Sequence, residues 1–230
     1  MPRPAPSRRT PPLPTAAEAQ AFSRRLRVWF RRNHRKLPWR ETRDPYRVLV
    51  SELMLQQTQV SRVVEYYDRF LTRFPTLQQL ADAPPKRVME AWSGLGYYAR
   101  ARNLHKLAKH VTRRGASGTL PSHPDELEAL PGVGRYTAGA VASFAHERRA
   151  ALVDTNVARV LARVFAPRLQ PKRARDLTRL WAIAEAVLPR TGKAAWTHNQ
   201  AVMELGALVC TARVKHCGTC PLRSLCPSRE

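Results

Sequence analysis

The sequence is poor in acidic residues. Only 17 Asp and Glu stand against 40 Lys and Arg, which gives a formal net charge of +23 over 230 residues. Such an excess predicts a polyanionic partner, because phosphate groups attract Lys and Arg and release their own counterions. The alternative is an Arg-rich amino-acid usage that spreads over the whole surface and serves no partner.

Long apolar runs are also missing. No stretch approaches the ~18 consecutive apolar residues of a membrane-spanning helix, and the N-terminus has no apolar segment typical of a secretory signal. We therefore expect a monomer without membrane association, located in the cytoplasm (with the nucleoid in a prokaryote). Its thiols should stay reduced unless a metal holds them.

No segment alternates between apolar and polar residues for long enough to predict a strand, so the predicted class is all-α. Residues 1–14 are rich in Pro and Arg and predict a disordered basic tail. Thr15 and Glu18 form a capping-box pattern that begins the first helix. Asp44 and Pro45 supply the cap and first residue of another. Helical periodicity continues in residues 60–74, 84–96, 98–111, 124–130, 136–145, 156–165, 175–188 and 198–210.

Cysteine is confined to the last segment, in the spacing C-x6-C-x2-C-x5-C. The four residues are Cys210, Cys217, Cys220 and Cys226. A reducing compartment argues against disulfides. Zinc is usually held by two C-x2-C pairs, and only one pair is present. Uneven spacing suits an iron–sulfur cluster equally well, so spacing alone leaves both metal centres open.

A Gly-rich hairpin lies in "LPGVGRYTAGAV", residues 130–141. Gly132 and Gly134 permit backbone conformations and close approaches that other residues resist. The amides that begin the next helix are unpaired and can bind a phosphate. Such a contact, formed around Val133 and Arg135, holds the DNA backbone without reading its sequence. The alternative is an ordinary tight turn between packed helices.

Two acidic residues occupy unusual positions. Glu52 shares a helical face with Val48 and Leu49. Burial there would raise its pKa, as a general acid near neutral pH requires; a core glutamate paired with an arginine is the alternative. Asp154, in "LVDTNVARVL", precedes a helix and on its own reads as a cap. A capping carboxylate held by amides can also face a developing cation.

Together these motifs resemble the helix-hairpin-helix DNA glycosylases, the superfamily of endonuclease III and the adenine glycosylase MutY. The resemblance covers about residues 24–227, with "LPWR", "PYRVLVSELMLQQTQV", "GLGYYARARNLHKLA" and "NQAVMELGALVC" as further matches. It implies two helical domains with DNA in the cleft between them. One is a six-helix barrel with the hairpin, residues 37–150. The other, residues 15–36 plus 151–230, carries a [4Fe-4S] cluster on the four cysteines.

The resemblance also implies roles for single residues. Glu52 matches the general acid of the adenine glycosylases, Asp154 the catalytic aspartate and Asn156 an asparagine near the sugar. Gln56 and Gln57 match residues that fill the gap left by the flipped base. Tyr97 matches an aromatic residue beside the opposite base.

Tyr136 stands where endonuclease III-like enzymes carry a lysine that forms a Schiff base. A tyrosine cannot form an imine, so the expected enzyme is monofunctional and does not cleave the DNA strand. We expect a base-excision-repair glycosylase that acts on double-stranded DNA with a mismatch or lesion and removes adenine opposite guanine or 8-oxoguanine. A glycosylase for T:G and U:G mismatches is one alternative, because tyrosine also occurs there in that branch. A non-catalytic DNA-binding module is the other, although the presence of both Glu52 and Asp154 favours an enzyme.

Overall fold

The computed structural model describes residues 11–114 and 119–230. Within these ranges the chain forms helices and no strand; an isolated bridge between Cys210 and Lys215 is the one extended pairing. The all-α prediction is confirmed. Residues 11–14 of the predicted tail have no regular structure, and residues 1–10 lie outside the described ranges.

The α-helices are α1 Ala16–Asn33, α2 Pro45–Leu55, α3 Val60–Arg73, α4 Leu77–Asp82, α5 Pro85–Trp92, α6 Ala99–Arg114, α7 Pro124–Glu128, α8 Arg135–Phe144, α9 Thr155–Phe165, α10 Ala174–Val187 and α11 Gly192–Leu208.

The two predicted helix starts are confirmed. At α1 the Glu18 amide donates to Thr15 Oγ1 at 3.3 Å, and the Thr15 amide donates to Glu18 Oε2 at 2.8 Å. At α2 Asp44 Oδ1 accepts from the amide of Tyr46 at 2.8 Å, and Pro45 is the first helical residue. Both caps satisfy amides that have no partner inside the helix.

Three helices differ most from the sequence-based prediction. Helix α4 was not predicted; it is too short for its periodicity to stand out and is capped by Thr76. Helix α5 ends at Trp92, before Gly94 (φ 98°), and not at residue 96. Helix α11 begins six residues earlier than expected, because the Ala194 amide donates to Thr191 Oγ1 at 3.3 Å and so caps the added turn.

The helices pack in two groups. Helix α2 contacts α3, α6 and α8, while α4 and α5 pack on α6 and α7 packs on α8. In the other group α1 and α9 both pack on α10 and α11. Contacts between α8 and α11 join the groups, and buried apolar residues form one continuous core through both. No helix in the described ranges is long and apolar enough to cross a membrane.

A buried ion pair also connects distant parts of the chain. Glu204 on α11 is 1% exposed and accepts from Arg35 Nη2 at 2.7 Å and from Arg40 Nη2 at 2.8 Å. Arg40 Nε also donates to Gln200 Oε1 at 2.9 Å. These bonds fix the segment between α1 and α2 on α11.

Candidate active site

The centre of the candidate site is Glu52, in the C-terminal part of α2. The residue is 3% exposed, and its Oε2 accepts a hydrogen bond from the Tyr136 hydroxyl on α8 at 2.8 Å. Among the described residues Glu52 forms no ion pair. The burial expected from its helical face is present, and the alternative of a core glutamate paired with an arginine is not what the structure has.

The environment of Glu52 favours its protonated form. Burial raises the pKa of Glu52 to about 7; the Tyr136 hydrogen bond opposes this rise, the nearby charge of Asp154 adds to it and Arg40 opposes it. A carboxyl group with this pKa still holds a proton near neutral pH and can give it to a bound group.

Asp154 caps α9 and is partly exposed. Its Oδ1 accepts from the Val157 amide at 2.7 Å, and its Oδ2 accepts from Asn156 Nδ2 at 2.9 Å. Burial raises the pKa of Asp154, while the hydrogen bonds from Val157 and Asn156 lower it. Both oxygens therefore have fixed partners, and the Asp154 carboxylate is near enough to Glu52 for its charge to raise the pKa of Glu52.

Two close approaches bring these elements together. A Cβ atom on Gly139 of α8 would lie 2.3 Å from the Ala151 carbonyl oxygen, so only glycine lets the segment leading to Asp154 lie directly on α8. A Cβ atom on Gly206 of α11 would lie 2.7 Å from the Cβ of Asn156. Helix α2 packs on α8 through the Tyr136–Glu52 hydrogen bond, and the Gly139 contact places the segment leading to Asp154 on the same helix α8.

A hydrogen-bond path leads away from this centre along α9. Arg159 Nη2 donates to Asn156 Oδ1 at 2.8 Å, and its Nε donates to the carbonyl of Cys210 at 2.8 Å. Arg163, one turn further on, donates from Nη1 to Cys210 Sγ at 3.1 Å. Asp154 and the first cysteine are therefore connected through Asn156 and Arg159.

The Gly-rich hairpin joins α7 to α8. Gly132 has φ 78°, and a Cβ atom there would lie 2.6 Å from the Cβ of Asn103 on α6. Val133 is 7% exposed and anchors the turn. Gly134 precedes α8 without a side-chain cap and has open space where a Cβ would lie. Arg135 is exposed, with its Cζ 4.0 Å from the centre of the Trp181 ring.

The residues expected to enter the DNA helix lie on two loops. Gln56 ends α2 and is partly buried; Gln57 is exposed with φ 56°. Tyr97, in the loop before α6, is 58% exposed with φ 47°. Non-glycine residues seldom adopt positive φ, so other contacts must hold these two backbones.

The four cysteines form no disulfide. All four line one cavity between α9, α11 and the C-terminal segment, together with cationic side chains that include Arg163, Lys215 and Arg229. In the described residues no three His, Cys, Asp or Glu side chains are close enough to hold a single metal ion. The thiols thus surround a space and do not converge on one point.

Comparison with known proteins places this arrangement in a family. Residues 50–183 match the model of the HhH-GPD superfamily of base excision DNA repair proteins. This chain belongs to that superfamily. The matched region contains Glu52, Tyr136, Asp154 and the hairpin, and it ends before the cysteines.

Relatives of this HhH-GPD chain include adenine DNA glycosylases. The chain is 43% identical to that of Rattus norvegicus over 223 residues, which cover 93% of this chain and 43% of the rat protein. It is 45% identical to that of Mycobacterium tuberculosis (strain ATCC 25618 / H37Rv) over 198 residues, 86% of this chain and 64% of the relative. The chain thus spans about half the length of the curated relatives it matches.

Solved structures show the same fold. A thermostable thymine-DNA glycosylase aligns with a TM-score of 0.83 at 29% identity, over 92% of this chain and 96% of the other. Endonuclease III, trapped as a covalent intermediate with DNA, aligns with a TM-score of 0.77 at 25% identity, over 94% and 97% of the two chains.

Within this HhH-GPD chain, the structure brings together four of the predicted site residues, namely Glu52, Tyr136, Asp154 and Asn156. The hairpin leads directly into Tyr136 on α8, and Gln57 follows the α2 helix that carries Glu52. Tyr97 lies apart, on the loop before α6, and the cysteine cavity lies at the C-terminal part of α9. Sequence reasoning missed Arg159 and Arg163. Their signal was available, because they follow Asn156 by three and seven positions and so share its face of α9.

Proposed function

We propose that this chain is a monofunctional DNA glycosylase that removes adenine opposite guanine or 8-oxoguanine by hydrolysis of the N-glycosidic bond. The observation that supports this most strongly is the buried carboxyl group of Glu52, which has no ion-pair partner among the described residues and whose pKa is raised to about 7. The adenine DNA glycosylases that align at 40–45% identity over most of this chain support adenine as the base.

The chemistry follows from the two carboxyl groups. The target adenine leaves the base stack, because it cannot be reached inside the duplex. Glu52 gives its proton to N7, and the base departs with the electron pair of the glycosidic bond. Asp154 stabilises the sugar cation that forms at C1′. Water then adds to C1′, and its proton passes to the Glu52 carboxylate.

Tyr136 limits the reaction to this hydrolysis. It offers a hydroxyl, already bonded to Glu52 Oε2 at 2.8 Å, where a strand-cleaving enzyme needs an amine. Nicks should therefore appear only after alkali treatment. Efficient trapping of a covalent protein–DNA adduct by borohydride would contradict a monofunctional enzyme.

DNA would lie in a cleft between the two helix groups, with the domains at residues 37–150 and at 15–36 plus 151–230. The uncapped start of α8, next to Gly132 and Gly134, would hold a backbone phosphate. Gln57 and Tyr97, named here the wedge residues, would enter the duplex beside the extruded base. The charge of +23 supports a polyanionic partner, and affinity should fall steeply with added salt.

The cysteine cavity fits an iron–sulfur cluster. Four thiols without a disulfide surround one space, and the cations around it balance the negative charge of thiolates. A cluster on Cys210, Cys217, Cys220 and Cys226 would tie the C-terminal segment to α9 and α11. Purified protein should contain iron and sulfide and absorb broadly near ~400 nm, as thiolate-ligated clusters do. Stoichiometric zinc in colourless protein would contradict this.

The decisive experiment offers duplexes with A:G, A:8-oxoG, T:G and U:G pairs under single-turnover conditions. The protein should remove adenine. Glu52→Gln should lose about 10²–10⁴ in rate, because an amide cannot donate the proton. Asp154→Asn should lose about 10²–10³, because asparagine still caps α9 but carries no charge. Glu65→Gln, an exposed carboxylate on α3, is the matched control and should keep the parental rate. Absence of adenine removal by the parent would refute the proposal.

Thymine removal is the second candidate, favoured by the structural similarity to a thymine-DNA glycosylase and by Tyr136. Thymine leaves as a stabilised anion and depends less on a proton. T:G activity retained in Glu52→Gln, with no adenine removal by the parent, would assign the chain to that branch.

A further inference from the structure

Arg100, the second residue of α6, is a buried charge without a carboxylate partner. The residue is 6% exposed, and among the described residues it forms no ion pair. Its neighbour Arg102 on the same helix is exposed. Burying a guanidinium group is costly unless its N–H groups all have hydrogen-bond acceptors. The acceptors of Arg100 therefore indicate what its burial serves.

The partners are backbone oxygens from two separate segments. At the end of α2, Nη1 donates to the carbonyls of Leu53 at 2.9 Å, Met54 at 2.7 Å and Gln56 at 2.6 Å. Leu53 and Met54 belong to the last turn of α2, where carbonyls lack partners inside the helix and carry its negative end, which suits a cation.

The second segment is the loop between α5 and α6. Arg100 Nη2 donates to the carbonyls of Leu95 at 3.2 Å and Gly96 at 3.0 Å, and Nε donates to that of Tyr97 at 3.4 Å. Nη2 also donates to Thr58 Oγ1 at 3.1 Å, just beyond Gln57. One side chain therefore joins the loop after α2 to the loop before α6.

Both loops contain strained backbone at the wedge residues. The described ranges have three non-glycine residues with positive φ, and two of them are Gln57 (56°) and Tyr97 (47°). Both side chains are exposed. Such conformations persist only where surrounding contacts fix them, and every carbonyl bonded by Arg100 lies within four residues of one of the two.

We propose that Arg100 is a positioning residue that holds Gln57 and Tyr97 in the conformation that extrudes the target base. This inference rests on the proposed glycosylase function. Lysine cannot replace Arg100, because one ammonium group has three donors and no planar fork that reaches both loops. Arg100 acts through the wedge residues and does not touch the base.

The test measures base extrusion separately from bond cleavage. A duplex carries 2-aminopurine in place of the target adenine, and its fluorescence rises when the base leaves the stack. Arg100→Lys should weaken this rise and slow single-turnover adenine excision by 10- to 100-fold. The pH dependence of excision should stay as in the parent, because Glu52 is unchanged. Arg102→Lys, which keeps an exposed charge on the same helix, should change both signals by less than threefold.

Coupling to the wedge residues separates positioning from a general loss of structure. In a Gln57→Ala, Tyr97→Ala background, Arg100→Lys should slow excision by less than a further threefold. A full 10- to 100-fold loss in that background would overturn the proposal, and so would parental fluorescence in Arg100→Lys. The parent could extrude 2-aminopurine but excise no base, and the proposed function would then be refuted. The role of Arg100 would still be decided by comparing the fluorescence rise of the parent with that of Arg100→Lys.

A milder variant keeps the proposal testable if Arg100→Lys does not fold. Thr58→Val removes one acceptor of Arg100 and preserves the shape of the side chain. It should reduce both signals two- to fivefold in the parent, and have no effect when the wedge residues are alanine. Unchanged extrusion in Thr58→Val together with an unfolded Arg100→Lys would mean that Arg100 serves stability, and would overturn the proposal.

Discussion

Glu52 and Glu204 both lie on helices and are only 3% and 1% exposed, yet their pKa values are shifted in opposite directions. Burial raises the pKa of Glu52 to about 7, with the Tyr136 hydroxyl as its hydrogen-bond partner. Burial would also raise the pKa of Glu204, but hydrogen bonds from Arg35 and Arg40 hold it at about 2. Hydrogen bonds from two arginines therefore keep the buried Glu204 ionised, whereas among the described residues no arginine bonds to Glu52, which can carry a proton.

Removing the charge of Glu204 should give the largest change in stability. Glu204→Gln leaves the guanidinium groups of Arg35 and Arg40 without their anion, and Arg40 is well buried. Breaking such a pair costs about 3–5 kcal/mol, and the lower end applies because Arg35 is partly exposed. Urea unfolding at pH 7 would measure the loss.

The control for this prediction is Glu185→Gln. Glu185 pairs with Arg149, but their side chains are 53% and 39% exposed. Exposed pairs contribute about 0–1 kcal/mol, so this variant should unfold near the parental midpoint. Equal losses in the two variants would mean that the burial of Glu204 has no consequence.

The same substitution at Glu52 should stabilise the protein relative to the parent at high pH, whereas Glu204→Gln destabilises it. The folded protein holds the Glu52 proton up to about pH 7, above the ordinary carboxyl value of 4.5. The free energy of unfolding of the parent therefore falls as pH rises from 4.5 to about 7, because folding keeps a proton that the unfolded chain has lost. Glutamine does not titrate, so Glu52→Gln lacks this contribution to the pH dependence. Relative to the parent, the variant should gain about 1–3 kcal/mol between pH 4.5 and pH 8. Thermal unfolding at the two pH values would measure this gain; a difference that does not change with pH would contradict a raised pKa.

Removing the Tyr136 hydroxyl should give the smallest change in free energy, seen as a shift in the pKa of Glu52. Tyr136→Phe deletes a hydrogen bond that stabilises the Glu52 carboxylate, so the pKa of Glu52 should rise by about one unit, equal to about 1.4 kcal/mol. The pH above which excision declines should move upward by the same amount. A downward shift would show that the hydroxyl stabilises the protonated acid.

Sequence pattern predicted one of these two carboxylates and missed the other for a physical reason. Glu52 stands out because its neighbours on the helix face are Val48 and Leu49. Glu204 is equally buried, but its partners Arg35 and Arg40 precede it by 169 and 164 positions, and periodicity carries no information on such distant pairs.

The same limit applies to the partners of Arg100 and of Tyr136. In "YARARNL" the spacing from Arg100 to Leu104 places Arg100 on the apolar face of α6, but the oxygens that it bonds lie on two loops that take shape only in the folded chain. The helices, the caps at Thr15 and Asp44 and the turn at Gly132 depend on local chemistry and could be predicted. The bond between Tyr136 and Glu52 spans 84 positions and could not be derived from pattern.

The pH dependence of adenine excision tests the role of Glu52 most directly. Single-turnover rate constants on an A:8-oxoG duplex, measured from pH 5.5 to 9, should fall as pH rises through about 7, because Glu52 then loses the proton it must donate. Glu52→Gln should be slow at every pH and show no such decline. A parental rate that stays constant across this range, or a Glu52→Gln profile that matches the parent, would contradict the assignment of Glu52 as the general acid.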